Sequence, residues 1–465
     1  MARKSGFACE AVEPVGQHGL DTARIEDCGG VSSVSTQGRL YLPRVFRRGR
    51  RRITTMEILY SHCAGLDVHK ASVSACVLTP GEGAEPRKEI REFGTTTGEL
   101  RQLAAWLVEC GVTHAAMEAT GVYWKPVFNI LESACALILV NARDVKQVPG
   151  RKTDKADCAW LASLLRHGLL RASFVPDREV RELRDLCRMR TTLVRERVQV
   201  GNRLRKVLED ANIKLDSVAS DTLGVSGRLM IDALIAGEQD PAKLAGLARG
   251  RMKKKRPELE RALEGMVTTH HRFLLRELKH SLEHLDDKVQ RFEAEIARHM
   301  PPLEWAAGVL MTIPGIDRTA ACALIGEVGA DMSRFPSARH LASWAGLCPG
   351  NNESAGKRRS GKSHRGNRWI KGLMTQIAWS ASRTKGTYCA SFYRRPVSRR
   401  GKKRALVALG NQLLQVVWYI LTHQQSYQEL GADYFERLHQ EKLTRSLVRR
   451  LERLGHQVRL EPVAA

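Results

Sequence analysis

One carboxylate constrains this chain more than any other residue. The stretch Gly65-Leu66-Asp67-Val68-His69-Lys70 sets Asp67 inside an apolar run, with Cys63 and Ala64 before it and Ala71 to Leu78 after it. The later part of that run is small, β-tolerant and partly alternating. It predicts the second strand of a hairpin whose first strand carries Asp67. A carboxylate in a core strand is costly unless it is hydrogen-bonded, paired or bound to a cation. A hydrogen-bonded turn aspartate and a cation ligand are both open readings of the hexapeptide alone. Further acids at strand and helix ends would separate them.

Two such stations follow. Residues 88–93 predict a third strand, and Thr95-Thr96-Thr97 an N-cap for a helix running to Gly111 with Leu100, Leu103, Trp106 and Leu107 on one face. Residues 113–118 predict a fourth strand that ends on Glu118, before Ala119-Thr120-Gly121 and a second helix; residues 136–140 predict a fifth. This βββαβαβ order suits a mixed sheet flanked by helices, an α/β domain. Asp154 and Asp157 then stand three apart at a helix start and share one face. Acids there also gain about 0.3–1 kcal/mol from the helix dipole, so the pair alone is ordinary. As a third acidic station in one domain it is not.

Beyond residue 175 the pattern is α-helical. Residues 176–215 and about 253–300 are charged helices with leucine seams, which predict a coiled-coil or antiparallel arm and a dimer surface. His270-His271 has no partner at metal spacing and reads as surface or core histidine. Thr312-Ile313-Pro314-Gly315-Ile316-Asp317, followed by an apolar helix to Glu327, resembles a helix-hairpin-helix, whose Gly turn offers backbone N–H groups to phosphate. The same pattern also serves as a plain helix connection.

After Glu353 no acid occurs until Glu429, while Lys357 to Arg404 holds 16 Lys or Arg interleaved with Trp369, Trp379, Tyr388, Phe392 and Tyr393. Cations without counter-charges repel one another, so such a belt suits a phosphate backbone better than a solvated face. Lys357, Arg358, Arg359, Lys362, Arg365, Arg368 and Lys371 are the expected contacts. The net charge of +25, from 75 basic and 50 acidic residues, extends that inference to the whole chain. Residues 429–465 predict a small helical cap with Leu447, Leu451 and Leu454.

The N-terminal residues 1–55 lack periodicity and end in six arginines between Arg44 and Arg52. They read as a disordered nucleic-acid arm or as the product of start-site choice, since Met56 precedes the first strand. Their deletion is expected to leave activity standing. The chain shows no apolar leader and no run near the roughly 20 residues of a membrane span. Its eleven cysteines form no CxxC pair. A reduced, cytoplasmic, nucleoid-associated protein is expected, without membrane contact.

Clustered, Asp67, Glu118, Asp154 and Asp157 would repel until divalent cations neutralised them, and hard Mg²⁺ prefers carboxylate oxygen. Two such ions roughly 3.5–4 Å apart suit phosphoryl transfer. A basic protein with that site implies a polynucleotide phosphodiester as substrate.

GLDVHK at 65–70, MEATGVYW at 117–124 and KTDKADCAWLA at 152–162 resemble the Asp-Glu-Asp-Asp transposases of the IS110 insertion-sequence family. IPGI at 313–316, WAGLCPG at 344–350 and SGKSHRGNRWIK at 360–371 resemble that family's second conserved region. The resemblance covers about residues 57–460. It implies a RuvC-like, RNase H-type catalytic domain over 56–175, a coiled-coil linker over 176–300, a mainly helical transposase domain over 301–428 and a cap over 429–465. It further implies that the four carboxylates bind Mg²⁺, and that Ser354, counted from Pro349, attacks DNA and holds a phosphoserine intermediate. Donor and target DNA, a structured bridge RNA, and homodimers joining into synaptic tetramers are the implied partners. In those assemblies the carboxylates of one subunit complete the serine site of another. Two departures stand out: Ser354 is followed by Ala355 where the family has glycine, so Ser360-Gly361 competes with it, and Cys158 replaces an alanine.

Two other readings stay open. A Mg²⁺-dependent Holliday-junction-type nuclease would use water and leave Ser354 a bystander; a non-catalytic nucleic-acid-binding protein would use its acids structurally. Without the resemblance, Ser354 reads as a loop-capping serine.

Overall fold

The computed structural model describes residues 57–82, 85–141, 157–350, 352–354, 357–361, 363, 366–438 and 440–460. The arm expected over residues 1–55 lies outside these residues, as do Asp154, Lys362 and Arg365.

The run around Asp67 forms β1 (Cys63–Val68), paired antiparallel with β2 (Ser72–Thr79) so that Asp67 faces Ser74. The hairpin read from the sequence is present. β3 (Arg87–Gly94) continues antiparallel on β2. β4 (His114–Glu118) lies parallel to the other edge of β1, and β5 (Ala136–Val140) parallel to β4. The order is β3-β2-β1-β4-β5.

Alternation gives each strand two faces, and each face has its own cover. Ala64, Leu66, Val68, Ala115 and Met117 pack under α1 (Thr97–Glu109) and α2 (Trp124–Leu131). Helix α1 starts where the Thr96 side chain accepts the Glu99 N–H, and it buries Leu100, Leu103, Trp106 and Leu107 as the spacing requires. Cys63, Cys76 and Ala116 face the other way, onto Cys158, Ala162 and Leu165 of α3 (Asp157–Arg166).

The two charged stretches become α4 (Arg178–Asp210) and, after α5 (Val225–Ala236) and short helical turns, α6 (Thr269–His299). Arg190 pairs with Glu293, Arg197 with Asp286 and Asp210 with His271, so α4 and α6 run antiparallel. His271 therefore has a structural role: it completes a capping box with Thr268 at the start of α6 and bonds Asp210 at 2.9 Å.

The C-terminal region contains α7 (Glu304–Met311), α8 (Arg318–Val328) and α9 (Ala338–Trp344). A two-stranded hairpin follows, β6 (Asn352–Ser354) with β7 (Lys357–Ser360). Then come α10 (Arg368–Ala381), α11 (Tyr388–Arg400) and α12 (Lys402–His423). Helix α12 is the one described helix long and apolar enough to cross a membrane. Its apolarity has a local cause, since Leu409, Leu413, Leu414 and Val417 are buried in the regional core. Leu183 and Cys187 of α4 and Ile296 of α6 enter that same core.

The helix-hairpin-helix resemblance holds in outline but not in use. Gly315 turns between α7 and α8 at φ +88, yet a Cβ there would lie 2.7 Å from Ala381 N and 2.9 Å from Ile377 O. The turn is packed against α10. The Asp317 carboxylate also occupies the α8 N-terminus, accepting from Ala320 N at 2.7 Å. A carboxylate at that position competes with phosphate for those N–H groups, which favours the plain helix connection over the phosphate-binding reading. At the far end of the chain, Leu447 and Leu451 of α13 (Gln440–Arg453) are exposed, as is Leu454, whereas Tyr434 and Phe435 pack on the core.

Candidate active site

The sheet brings two of the expected carboxylates side by side. Leu66 pairs with Met117, so Asp67 and Glu118 are the next residues along the two central parallel strands. Both take the face opposite Leu66 and Met117, which is the face covered by α3. Three bonds lace these strand ends. Ala119 N donates to Val140 O at 2.9 Å, His69 N to Ser72 O at 2.9 Å, and Thr120 Oγ1 to Val68 O at 3.1 Å.

Helix α3 delivers the third acid. A Cβ on Gly65 would fall 2.0 Å from the Cys158 carbonyl oxygen and 2.4 Å from Ala162 N, so only glycine lets α3 lie this close to β1. Asp157 opens that helix, one residue before Cys158, and its Oδ1 is buried. The Cys158 thiol reports the proximity: burial raises its pKa, and the negative charge of Asp67 raises it further. His69 Nε2 lies 3.2 Å from Asp67 Oδ2.

Asp67, Glu118 and Asp157 are thus drawn toward the C-terminal edge of the parallel strands. Among the described residues no group of three or more His, Cys, Asp or Glu is assembled around a common point that could hold a metal. The donor set is nevertheless of the right chemistry for a hard divalent cation, being carboxylate oxygen at half-buried positions.

The two rival serines share one hairpin. Ser354 ends β6 and faces Lys357 across the turn, whereas Ser360 ends β7 and faces Asn352; the register slips between Asn352 and Glu353. Gly366 and Ser363, after the hairpin, are each held by close contacts. A Cβ on Gly366 would fall 2.3 Å from Gly346 N, and Lys371 Nζ donates to Ser363 Oγ at 2.8 Å. Of the expected nucleic-acid contacts, Lys357 and Arg368 are exposed, and Lys371 is half-buried in this local role. Arg358 and Arg359 lie on β7.

Sequence reasoning missed a buried ionic knot that positions this segment. Glu327, only 4% exposed, accepts from Arg188 Nε at 2.7 Å and Nη2 at 2.8 Å, and also from Asn367 Nδ2. Asn367 caps α10 through its oxygen, which accepts from Trp369 N. Arg188, Arg195 and Arg368 all stack over the Trp369 ring, at 5.5, 5.2 and 5.2 Å. Helix α4, the α8 terminus and the start of α10 are therefore tied at one point. The available signal was a lone acid in the apolar helix 318–328, the same signal that exposed Asp67.

Two family models match this chain. One, for DEDD transposases of the IS110 type, covers residues 64–213 and so contains the acid-bearing sheet. The other, for transposases of the IS116/IS110/IS902 family, covers residues 307–394 and contains the serine hairpin. A probable family 20 transposase of Pseudomonas aeruginosa is 26% identical over 348 residues, 73% of this chain and 89% of its own length. The transposase for insertion sequence element IS1111A of Coxiella burnetii is 24% identical over 390 residues, covering 82% and 94%. A pilin gene-inverting protein of Moraxella lacunata is 36% identical over 77 residues, 16% of this chain and 24% of that protein. Site and matches define a transposase whose acid-bearing sheet is followed by a mainly helical, basic C-terminal region. The chain belongs to the IS110 family of transposases.

Proposed function

We propose that this protein recombines DNA by divalent-metal-dependent phosphoryl transfer, with Ser354 as nucleophile and a structured RNA choosing the sites. The observation that carries this reading is the placement of Asp67 and Glu118 on adjacent central parallel strands beneath the helix that starts at Asp157. The 3-2-1-4-5 strand order, with the first three strands antiparallel, supports an RNase H-like, RuvC-type domain. The antiparallel seam of α4 and α6 supports a coiled-coil arm.

Asp67, Glu118, Asp157 and Asp154 would hold Mg²⁺. When bound there, the ion would supply charge neutralisation at the phosphate and would acidify the attacking hydroxyl. The residues of this chain do the remainder. Ser354 would supply the attacking hydroxyl, and the exposed Lys357 and Arg368 would hold phosphates of the strand. As the serine Oγ–P bond forms, the P–O bond of the DNA ester breaks; the serine proton is lost to base and the departing sugar oxygen gains one. Attack by a sugar hydroxyl of the partner strand then reverses the chemistry and frees the serine. Donor and target DNA, guide RNA and a second protomer are the partners, and the cytoplasm is the site of action.

A denaturing gel of the protein with labelled donor and target DNA, Mg²⁺ and RNA from the flanking region tests this. The expected product is a DNA–protein adduct that disappears in Ser354→Ala and in Asp67→Ala. An adduct lost only in Ser360→Ala moves the nucleophile across the hairpin. Cut DNA with no adduct in any variant favours the water-dependent nuclease, and uncut DNA bound equally by Asp67→Ala favours the non-catalytic binder.

A further inference from the structure

Beside the serine hairpin lies a cavity of about 930 Å³ whose wall includes Pro349, Gly361 and Ser363 from the segments flanking that hairpin. It continues into a second hollow of about 510 Å³, and the two share Phe392, Pro396, Arg400 and Ala408. Together they form a groove along the junction of α11 and α12. Its floor is apolar, from Leu347, Phe392, Pro396 and Val407. Its rim is cationic, with Arg395, Arg399, Arg400, Lys403 and Arg404 all exposed. Among the described residues none of these five has an ion-pair partner, and the sequence holds no acid between Glu353 and Glu429 to supply one.

We infer that this groove holds an unpaired DNA strand leading away from the phosphodiester at the serine hairpin. The inference rests on the reading that the hairpin handles the strand to be joined. A duplex stacks its bases inside and would offer this groove only phosphate and sugar, leaving the apolar floor against charge. An unpaired strand offers both halves: phosphates for the rim and base faces for the floor. Phe392 is half-buried against Tyr388 and Phe435, with ring centroids 6.0 and 6.2 Å away, and so presents a fixed ring to stack on. Pro396, inside α11, adds an apolar ring shared by the two hollows. Gln412, on the wall, adds a donor and an acceptor. None of these groups demands one base, so the groove tolerates sequence while requiring an open strand.

The test is equilibrium binding of the full-length protein, in EDTA, to three fluorescein-labelled probes of one mixed sequence: a 12-nucleotide DNA strand, the blunt DNA duplex and the RNA strand. The DNA strand is expected to bind best. Phe392→Leu, and separately the exposed pair Arg400→Gln with Lys403→Gln, should each weaken it roughly tenfold while leaving duplex binding within about twofold. The charge pair should also flatten its salt dependence, by about 0.7 in slope per lost phosphate contact. The pair lies on the surface, so it decides the matter even if Phe392→Leu disturbs the core. Equal losses for strand and duplex, or tighter binding of RNA than DNA, would overturn the inference. Adduct formation by the wild-type protein is read in parallel. Strand preference without any adduct sinks the serine chemistry and leaves the groove; an adduct without strand preference sinks the groove alone.

Discussion

At the scale of single residues the chain twice sets an acid among apolar neighbours and resolves it in opposite ways. Asp67 stays half-buried at a strand end, and among the described residues its side-chain partner is His69, at 3.2 Å. Glu327 is fully committed, holding Arg188 through both oxygens and Asn367 as well. Removing a buried partner leaves an uncompensated charge, which costs more than the pair itself contributes. Glu327→Ala should therefore destabilise the C-terminal core by about 3 kcal/mol, at the lower edge of the buried-pair range because Arg188 keeps some solvent contact. Glu327→Gln, which can still accept from one arginine N–H, should cost less. Urea unfolding followed by tryptophan fluorescence measures both, and a cost below 1 kcal/mol for the alanine variant would show the knot to be screened by water. The thiols behind Asp67 need no such partner. Burial pushes Cys63 up to about 11 and Cys76 to about 12, so they are packing groups rather than reactive ones.

At the scale of elements the acid site depends on how closely α3 approaches β1. Gly65 sets that distance, and any side chain there meets helix backbone, which cannot rotate away. Gly65→Ala should push α3 off the sheet and separate Asp157 from Asp67. Adduct formation is expected to fall at least a hundredfold, since a displacement near 1 Å is worth that much. The C-terminal core, remote from Gly65, should melt as in the wild type. Cleavage within tenfold of wild type would mean that α3 can slide without disturbing the site. That Asp67 and Glu118 share a face is fixed by the Leu66–Met117 register, which alternation within one strand does not reveal, since a one-residue slip would put them on opposite faces. The strands, the acids they carry and the helix start at Thr96 were legible in the sequence. The serine hairpin was not. Residues 349–367 carry no alternation, so nothing in them shows that Ser354 sits by the turn while Ser360 faces Asn352. The partner of Glu327 was equally hidden, since Arg188 lies 139 residues away and periodicity carries no long-range pairing. Nor does apolar length distinguish a core helix such as α12 from a membrane span.

At the scale of the molecule the question is how acids and serine meet. Helix α4 joins the two regions, and its first turns are fixed on both sides. Arg181 bonds Glu132 at 2.8 Å and lies over the Phe128 ring at 5.2 Å, while Lys125 reaches Asp185 at 3.3 Å. Arg184 and Arg188 bind Gly326 and Glu327 in the C-terminal core. Phe174 adds a direct contact, 4.8 Å from Phe335 and 5.5 Å from Trp344. The C-terminal core is thus anchored through α2, which covers one face of the sheet, whereas Asp67 and Glu118 belong to the face under α3. That separation of faces favours the proposal that the carboxylates of one protomer complete the serine site of another. Mixing Asp67→Ala with Ser354→Ala protein should accordingly restore the adduct that neither makes alone. In a two-fold dimer half of the random pairs are mixed, and each has one intact composite site, so recovery near a quarter of the wild-type yield is expected. Both variants must first show wild-type DNA binding. If they do and the mixture still makes no adduct, acids and serine act within one chain, and α4 must then bend or release its anchor to bring them together.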